Sequence, residues 1–469
     1  MRRWKLMALA VLAIAAVAFF RQLSVPSARQ SRIPAGISLA GVPVGGLTED
    51  EATQLLEEAF SAPLILNYLD EALYLFPQKV GFRVRTEEML AELRRLRPGP
   101  WGDLLQRLLR RPVRIADVPL RADYSEAEIR RFLSEVAARY DRPPRQPQAV
   151  LKTLSFSPGR AGRRLDVEAS LPLVIEALTS AERRQVDLVV ETLPPPKPTI
   201  ELLGTLLEER LADFPGVAGI FVKDLASGEE LGINADVAFS GMSLVKVAIV
   251  EEAYRLLDGP PDARTARLLT ETLTQRGNFA ANQLLEMIGD GDARRGTERL
   301  TESLRYLGLA NTFMAAPYGE GGPLPGITTP ANSRRDVNTE PDPYLQTTPK
   351  DMGLLMEMIY QCAQGGGTLI AAYPDDLTPA ECRAMLATMK ANRQGEFIAA
   401  GLPEGTPVAH KHGWIDDTHA DVGVVFSPGG DYVLSIILHR HGWLEWEVSS
   451  PLMADISRAT YNYFNLKAR

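Results

Sequence analysis

The sequence has fewer basic than acidic residues. Its 469 residues include 51 Lys and Arg against 59 Asp and Glu, which gives a net charge of -8 and a pI near 5.4. With this balance of charges the protein has no overall positive potential to attract a polyanion, so nucleic acid is not expected as a partner. The composition does not exclude a local basic cleft. The marks of disorder are also missing, because 45% of the residues are apolar. The chain is too long for one ordinary core, and we expect two or three globular units.

Cysteine is also scarce, since only Cys362 and Cys382 occur. An even pair this close in sequence favours a disulfide in an oxidising compartment. Cysteine also serves as a small buried apolar residue, so the sequence leaves both interpretations open. Neither cysteine is expected to be catalytic.

The apolar run at the N-terminus is short. Basic residues precede a stretch of 15 apolar residues from Leu6 to Phe20, and Arg21 follows it. This arrangement is typical of a secretory signal or a signal anchor, but a bilayer span needs about 20 residues. We favour an uncleaved anchor over residues 1–23, because two phenylalanines and a basic residue end the run. The sequence thus predicts a single-pass membrane protein with an extracytoplasmic body, or a secreted protein if the signal is cleaved.

A small α+β module is predicted over residues 34–193. Thr48 and Glu51 form a capping-box pattern, which predicts a helix that runs to about Phe60. Strand patterns follow at 64–68 and 73–76, and helical periodicity returns at 87–96 and 101–109. A similar order of elements recurs from Arg114 to about Thr192, so the module could contain two sub-repeats.

Two glycine-containing motifs stand out in this module: Gly41-Val42-x-Val44-Gly45-Gly46-Leu47-Thr48, and Pro158-Gly159-Arg160-Ala161-Gly162 with Leu165-Asp166. They resemble the peptidoglycan-binding type of domain found beside L,D-transpeptidases and vancomycin-resistance W-type proteins. The resemblance implies that the module binds the cell wall. The alternative is an α+β spacer that binds nothing.

A proline-rich segment at residues 194–199 marks the clearest boundary in the chain. Proline removes backbone donors and favours extended polyproline geometry, so this segment reads as a linker. Residues 200–469 should fold separately, and their length is usual for one domain.

Ser243 and Lys246 form the first motif of the second domain. A serine three residues before a lysine, at the start of an apolar helix, places a hydroxyl and an amine on one helix face. The amine could then activate the hydroxyl, and the helix N-terminus favours developing negative charge. A capping serine and a surface lysine would explain the same pattern. However, this is the only Ser-x-x-Lys in the sequence, and its helix is too apolar for a comfortable surface lysine.

Further motifs follow in order: Arg276-Gly277-Asn278 with Ala280-Ala281-Asn282, and Lys411-His412-Gly413 before Trp414. Together with Ser243 and Lys246 they resemble the class A β-lactamase and penicillin-binding-protein superfamily over roughly residues 200–465. The resemblance implies an α+β fold, in which an antiparallel sheet lies between helices.

The resemblance also implies a serine hydrolase that forms an acyl-enzyme, as a β-lactamase or a D,D-peptidase. Ser243 would attack the carbonyl of a β-lactam or a peptidoglycan stem peptide, and Lys246 would take its proton. The backbone N–H groups of Ser243 and Trp414 would hold the oxyanion. Lys411 completes the predicted catalytic set. No cofactor and no metal are expected.

Four residues form the predicted substrate-binding set: Asn278, His412, Gly413 and Trp414. The resemblance implies that Asn278 holds the acyl-amide side chain and that Lys411 binds the substrate carboxylate. From the residues alone, Asn278 could equally be a helix N-cap, and Lys411 could be a solvated strand lysine.

The sequence departs from the family at two points. The second-motif serine, which passes a proton to the leaving nitrogen in the family, is Arg276 here, and arginine cannot relay a proton at neutral pH. Class A β-lactamases also use a loop glutamate to activate the deacylating water. The corresponding loop begins Ala315-Ala316-Pro317-Tyr318-Gly319-Glu320, so only Glu320 and Glu340 are candidates, by proximity in sequence.

The residues also allow other functions. His410 and His412, which share a strand face, could bind a metal together with Asp416, Asp417, His419 and Asp421, as in a metal-dependent hydrolase. A Ser-His-Asp triad with His412 or His439 is conceivable, but no Gly-x-Ser-x-Gly elbow is present. A third alternative is a non-catalytic or weakly acylating cell-wall-binding protein, which Arg276 favours.

Overall fold

The structure is a computed structural model that describes residues 32–96, 116–275, 277–323, 325–392 and 395–466. The predicted membrane segment at 1–23 and the predicted helix at 101–109 lie outside these residues. In the part of the chain that is described, no helix is both long and apolar enough to span a bilayer.

The chain up to residue 195 contains short strands and four α-helices of three to four turns among its described residues. In chain order these are β1 (Ile37–Leu39), β2 (Val42–Pro43), α1 (Glu49–Ser61), β3 (Leu64–Tyr68), β4 (Glu71–Leu75), β5 (Arg83–Val84), α2 (Thr86–Leu96), β6 (Ala116–Val118), β7 (Ala122–Asp123), α3 (Glu126–Tyr140), β8 (Gln148–Val150), β9 (Ser155–Ser157), β10 (Gly162–Leu165), α4 (Val167–Leu178), β11 (Gln185–Asp187) and β12 (Val190–Leu193).

Longer strands and most of the helices follow. They are α5 (Ile200–Leu211), β13 (Val217–Asp224), β14 (Glu230–Ile233), β15 (Phe239–Ser240), α6 (Lys246–Arg255), α7 (Ala263–Thr274), α8 (Asn278–Ile288), α9 (Ala293–Tyr306), β16 (Phe313–Met314), β17 (Leu345–Thr347), α10 (Pro349–Ala363), α11 (Gly367–Ala372), α12 (Pro379–Lys390), α13 (Ile398–Gly401), β18 (Val408–Trp414), β19 (Thr418–Val425), β20 (Tyr432–His439) and α14 (Trp446–Leu466).

The chain divides into two compact units. The first contains the described residues up to Arg145 and those from Ala161 to Pro195, and the second contains Gln146–Arg160 and the described residues from Pro196 onward. The sequence prediction treated residues 34–193 as one continuous module, whereas the β8–β9 hairpin belongs to the second unit. The reason is burial, because Leu154 and Phe156 of this hairpin enter the core formed with α5 and α14.

The first unit is a small α+β fold. Its β1 pairs with β2 in antiparallel fashion and with β6 in parallel, while β3 pairs with antiparallel β4 and parallel β11. The capping box predicted for α1 is confirmed, since the Glu51 N–H donates to the Thr48 hydroxyl at 3.2 Å and the Thr48 N–H donates to Glu51 at 2.8 Å. Apolar residues of α1, α3 and α4 form its core.

The second unit is built on a five-stranded antiparallel sheet with strand order β14-β13-β20-β19-β18. One apolar core joins this sheet to α5 and α14, and a second core joins it to α6, α8, α10 and α12. The predicted antiparallel sheet between helices is therefore present. The strand β18 ends the sheet order, so its outer edge is available for a site.

Cys362 and Cys382 form a disulfide that joins α10 to α12. Both residues are fully buried in the larger helical core of the second unit. The sequence left the bridge and the buried-thiol interpretation open, and the structure shows the bridge.

Candidate active site

Ser243 lies in a tight turn immediately before α6. The Lys246 N–H donates to the Ser243 carbonyl at 3.3 Å, so the turn leads directly into the helix. Met242, just before the serine, has a φ of 47°, in the left-handed region that a side chain with a Cβ rarely adopts. Strained backbone of this kind persists only where the surroundings hold it, and it clusters at functional sites. The Tyr318 hydroxyl donates to the Met242 carbonyl at 2.7 Å and holds the turn.

Lys246 is the first residue of α6 and is fully buried. Its amine donates to the Asn278 side-chain oxygen at 2.7 Å and lies 4.9 Å from the centre of the Tyr318 ring. Burial disfavours the charged amine and the nearby Lys411 charge repels it, so the pKa of Lys246 is lowered to about 8. A substantial fraction of Lys246 is therefore uncharged slightly above neutral pH, as a general base requires.

Two asparagines of α8 hold this part of the site. Gly277 occupies the N-cap position and Asn278 is the first helical residue, so Asn278 is not the cap. Its side-chain oxygen instead accepts a hydrogen bond from the Lys246 amine. Asn282, one turn later on the same face, exchanges two hydrogen bonds of 2.9 Å with the backbone of Tyr318. The helix thus positions both the lysine amine and the tyrosine.

Lys411 lies on β18 and is only 3% exposed, so it is not a solvated strand lysine. Its amine donates to the His412 carbonyl at 3.3 Å. Burial lowers the pKa of Lys411 to about 8, and the negative charge of Asp421 partly opposes this effect. Below that pH the group is an ammonium at the edge of the sheet.

Gly413 allows β18 to lie directly against the serine turn. A Cβ at this position would be 2.8 Å from the Ser243 backbone nitrogen, which is too close for any other residue. The Ile415 N–H donates to Thr418 of β19 at 2.9 Å, and strand alternation therefore points the Trp414 N–H away from β19. The absence of a side chain at 413 brings this edge close to the Ser243 backbone.

These groups converge on one cleft with a volume of about 180 Å³. Most of its lining residues were predicted from the sequence: Ser243, Asn278, Lys411, His412, Gly413 and Trp414. Lys246 contacts the cleft through Asn278. The sequence prediction missed Gln275, which lines the cleft but belongs to no motif. It also missed the role of Tyr318. The available signal was Asn282, which lies four residues after Asn278 and so places a second amide side chain on the same face of α8.

The predicted acidic candidates for deacylation lie elsewhere. Glu320 is exposed and pairs with Arg294 at 3.3 Å, and Glu340 is exposed and pairs with His441 at 3.3 Å. Neither is among the described residues that line the cleft. Arg276, which stands in place of the second-motif serine, lies outside the described residues.

The histidines do not gather around one point. His410 pairs with Asp421 at 3.0 Å, His419 with the Ser449 hydroxyl at 2.6 Å, and His439 with the Thr418 hydroxyl at 2.9 Å. Over the described ranges, no group of three or more His, Cys, Asp or Glu side chains is placed to hold a metal ion. The geometry therefore does not favour the metal alternative with His410 and His412, or a triad with His439.

The second unit is an α+β fold with a buried lysine behind a serine turn and a second lysine on the facing strand, an arrangement typical of serine hydrolases of the β-lactamase and penicillin-binding-protein type. The family model described as a beta-lactamase enzyme family matches residues 203–260 and 260–464. The chain belongs to this beta-lactamase enzyme family. A second model, described as a putative peptidoglycan binding domain, matches residues 75–187.

Solved structures give more distant likenesses. PBP-A is 22% identical over 58% of this chain and 98% of its own, with a TM-score of 0.44. A β-lactamase from Sphaerobacter thermophilus is 18% identical over 57% of this chain and 98% of its own, with a TM-score of 0.45. An ancestral class A β-lactamase is 24% identical over 55% of this chain and 98% of its own, with a TM-score of 0.41. A search among curated proteins gave no match.

Proposed function

We propose that the second unit is a serine hydrolase that forms an acyl-enzyme on Ser243. The uncharged Lys246 amine takes the proton of the Ser243 hydroxyl as the oxygen attacks an amide or lactam carbonyl. The carbon–nitrogen bond then breaks, and the proton passes to the leaving nitrogen. Asn278 holds the amine by accepting one of its hydrogens at 2.7 Å.

The facing strand β18 supplies most of the groups that bind the substrate, and the serine turn and α8 supply the others. The backbone N–H groups of Ser243 and Trp414 stabilise the oxyanion, with a contribution of roughly 3–4 kcal/mol per donor in comparable sites. The Lys411 ammonium binds the substrate carboxylate, and Asn278, His412 and Gly413 line the path along the strand. A β-lactam and a peptidoglycan stem peptide both carry a carbonyl and a carboxylate that suit this arrangement.

One observation carries the proposal. Lys246 is fully buried and is hydrogen-bonded to Asn278, which lines the same cleft as Ser243. Burial and the Lys411 charge lower the pKa of Lys246 to about 8. A buried lysine without a function would leave an expensive group in the core, because desolvation of an amine costs several kcal/mol. The acylation reaction uses this amine directly.

The proposal is tested by incubating the protein with a fluorescent penicillin and mapping the adduct by mass spectrometry. We expect a covalent adduct on Ser243 and its complete loss in Ser243→Ala. Ser227→Ala, in the β13–β14 turn outside the cleft, is the matched control and should label as the parent does. Labelling that survives in Ser243→Ala would contradict the proposal.

The N-terminal part has a proposed role of its own. We propose that the module predicted over 34–193 binds peptidoglycan, as the matched domain model suggests, and that residues 1–23 anchor the body outside the cytoplasm. Sedimentation with purified peptidoglycan sacculi tests the first point, because bound protein should pellet. Fractionation of cells tests the second, because an anchored protein should remain with the membranes after a high-salt wash.

A further inference from the structure

Tyr318 is held against the catalytic amine by three sets of contacts. Its backbone N–H and C=O are both paired with the Asn282 side chain at 2.9 Å. Its hydroxyl donates to the Met242 carbonyl at 2.7 Å. Its ring lies over the Lys246 amine, which is 4.9 Å from the ring centre. These contacts leave the ring little freedom, so the phenol is a fixed wall of the lysine pocket.

The Tyr318 phenol cannot act as a base at neutral pH. Burial, with a smaller contribution from Asp342, raises the pKa of Tyr318 above its ordinary value, so the hydroxyl keeps its proton. That proton is already donated to Met242. Tyr318 therefore occupies the space beside Lys246 without supplying a group that can accept a proton.

Hydrolysis of an acyl-enzyme needs a group that can accept a proton from water. Water must form a bond to the ester carbon, its proton must pass to a base, and the bond from the carbon to the Ser243 oxygen must break as that oxygen regains a proton. No carboxylate is found among the described residues that line the cleft. The fully buried Lys246 amine has the Asn278 oxygen at 2.7 Å and the centre of the Tyr318 ring at 4.9 Å, so the ring takes up one side of the amine.

We propose that Tyr318 makes the acyl-enzyme on Ser243 long-lived, by filling the place beside Lys246 from which a water would be activated. This inference rests on the proposed acylation of Ser243 and decides between its two outcomes. The protein then binds β-lactams covalently and turns them over slowly, as a penicillin-binding protein does. Tyr318 acts here as a positioning residue, because its effect passes through Lys246 and water.

Three variants of the full chain test the proposal. Tyr318→Glu removes the ring and introduces a carboxylate beside Lys246, and Tyr318→Phe retains the ring without its hydroxyl. Tyr306→Glu, at an exposed tyrosine on α9, is the matched control for the change in charge. Acylation by a fluorescent penicillin and loss of the adduct are measured separately, by mass spectrometry after removal of free penicillin.

We expect Tyr318→Glu to release the acyl group at least about 10²-fold faster than the parent, the lower bound for a positioned general base. Tyr318→Phe should keep the long adduct lifetime but acylate more slowly, because the Met242 turn loses its hydroxyl contact. Thermal unfolding of each variant identifies any that fail to fold, and the folded Tyr318→Phe variant then still tests the role of the ring.

The outcomes separate the two proposals. If the parent protein forms an adduct on Ser243 and releases it rapidly, the role of Tyr318 is wrong while the acylation mechanism stands. A folded Tyr318→Phe variant that releases the acyl group rapidly, or a folded Tyr318→Glu variant that holds it as long as the parent does, also overturns the role of Tyr318. If no adduct forms on the parent or any variant, the acylation mechanism fails, and the inference falls with it.

Discussion

At the scale of single residues, two buried ammonium groups define the pH range of the cleft. The pKa values of Lys246 and Lys411 are both lowered to about 8, chiefly by burial. Asp421, which is fully buried and pairs with His410 at 3.0 Å, keeps the pKa of Lys411 from falling further. The proposed reaction needs the Lys246 amine uncharged and the Lys411 amine charged. The two lysines therefore have opposite requirements for pH.

We expect a bell-shaped dependence of the acylation rate constant on pH, with a maximum near pH 8. Below this pH the Lys246 amine is protonated and cannot take the serine proton, so the rate rises with pH. Above it Lys411 loses its charge and its hold on the substrate carboxylate, so the rate falls. The second-order rate constant for labelling by a fluorescent penicillin, measured between about pH 6 and 10, checks this prediction.

Lys411→Met is the informative variant for this profile. It should acylate more slowly and lose the falling limb. Its rising limb should move to higher pH, because the charge that helps to lower the pKa of Lys246 is gone. A Lys411→Met profile that still falls above pH 8 would assign the falling limb to another group.

At the scale of elements, the site depends on how closely β18 lies against the serine turn. The contact is between backbones, since Gly413 has no side chain and the Ser243 nitrogen would be 2.8 Å from a Cβ at that position. Backbone atoms cannot move aside as a flexible side chain can. The distance between the strand and the turn also sets the distance between the two proposed oxyanion donors.

Gly413→Ala should therefore reduce acylation strongly, by at least about 10²-fold, the cost of losing one oxyanion donor. The added methyl group pushes β18 away from Ser243 and widens the gap between the donors. Labelling rates with a fluorescent penicillin measure the effect. Gly366→Ala is the matched control, because a Cβ at Gly366 meets no atom within 4 Å and its φ of −151° suits any residue. Similar labelling rates for both variants would show that the contact is not important.

At the scale of the whole molecule, the chain crosses three times between its two units. The β8–β9 hairpin leaves the first unit and joins the second, where Phe156 packs edge-on against Tyr463 at 5.8 Å. The Asn462 side chain donates to the Leu154 carbonyl of the same hairpin at 2.7 Å. A segment that lies in the first half of the sequence thus supports the second unit.

Phe156→Ala should destabilise the second unit by about 3–5 kcal/mol, the usual cost of truncating a buried phenylalanine. Phe60→Ala, in the core of the first unit, should destabilise that unit instead. Calorimetry of the parent is expected to show separate transitions, and the one that moves after acylation by penicillin identifies the second unit. If Phe156→Ala shifts only the other transition, the hairpin belongs to the first unit.

Local patterns made much of the fold predictable. The Thr48 capping box follows from local spacing, whereas the antiparallel sheet between helices was implied by the resemblance that the motifs carry. The capping box depends on residues close in sequence, whose geometry is fixed by backbone conformation. The same holds for Ser243 and Lys246, which are one turn apart.

The amino-acid sequence by itself supplied the motif residues of the proposed site and predicted a boundary at the proline-rich segment 194–199. Only the tertiary structure decided that Tyr318 covers Lys246, that Gln275 lines the cleft, and that Glu320 and Glu340 lie away from it. It also decided which unit holds the β8–β9 hairpin. The physical reason is that burial and the pairing of distant side chains depend on how elements pack, and no local spacing encodes that packing.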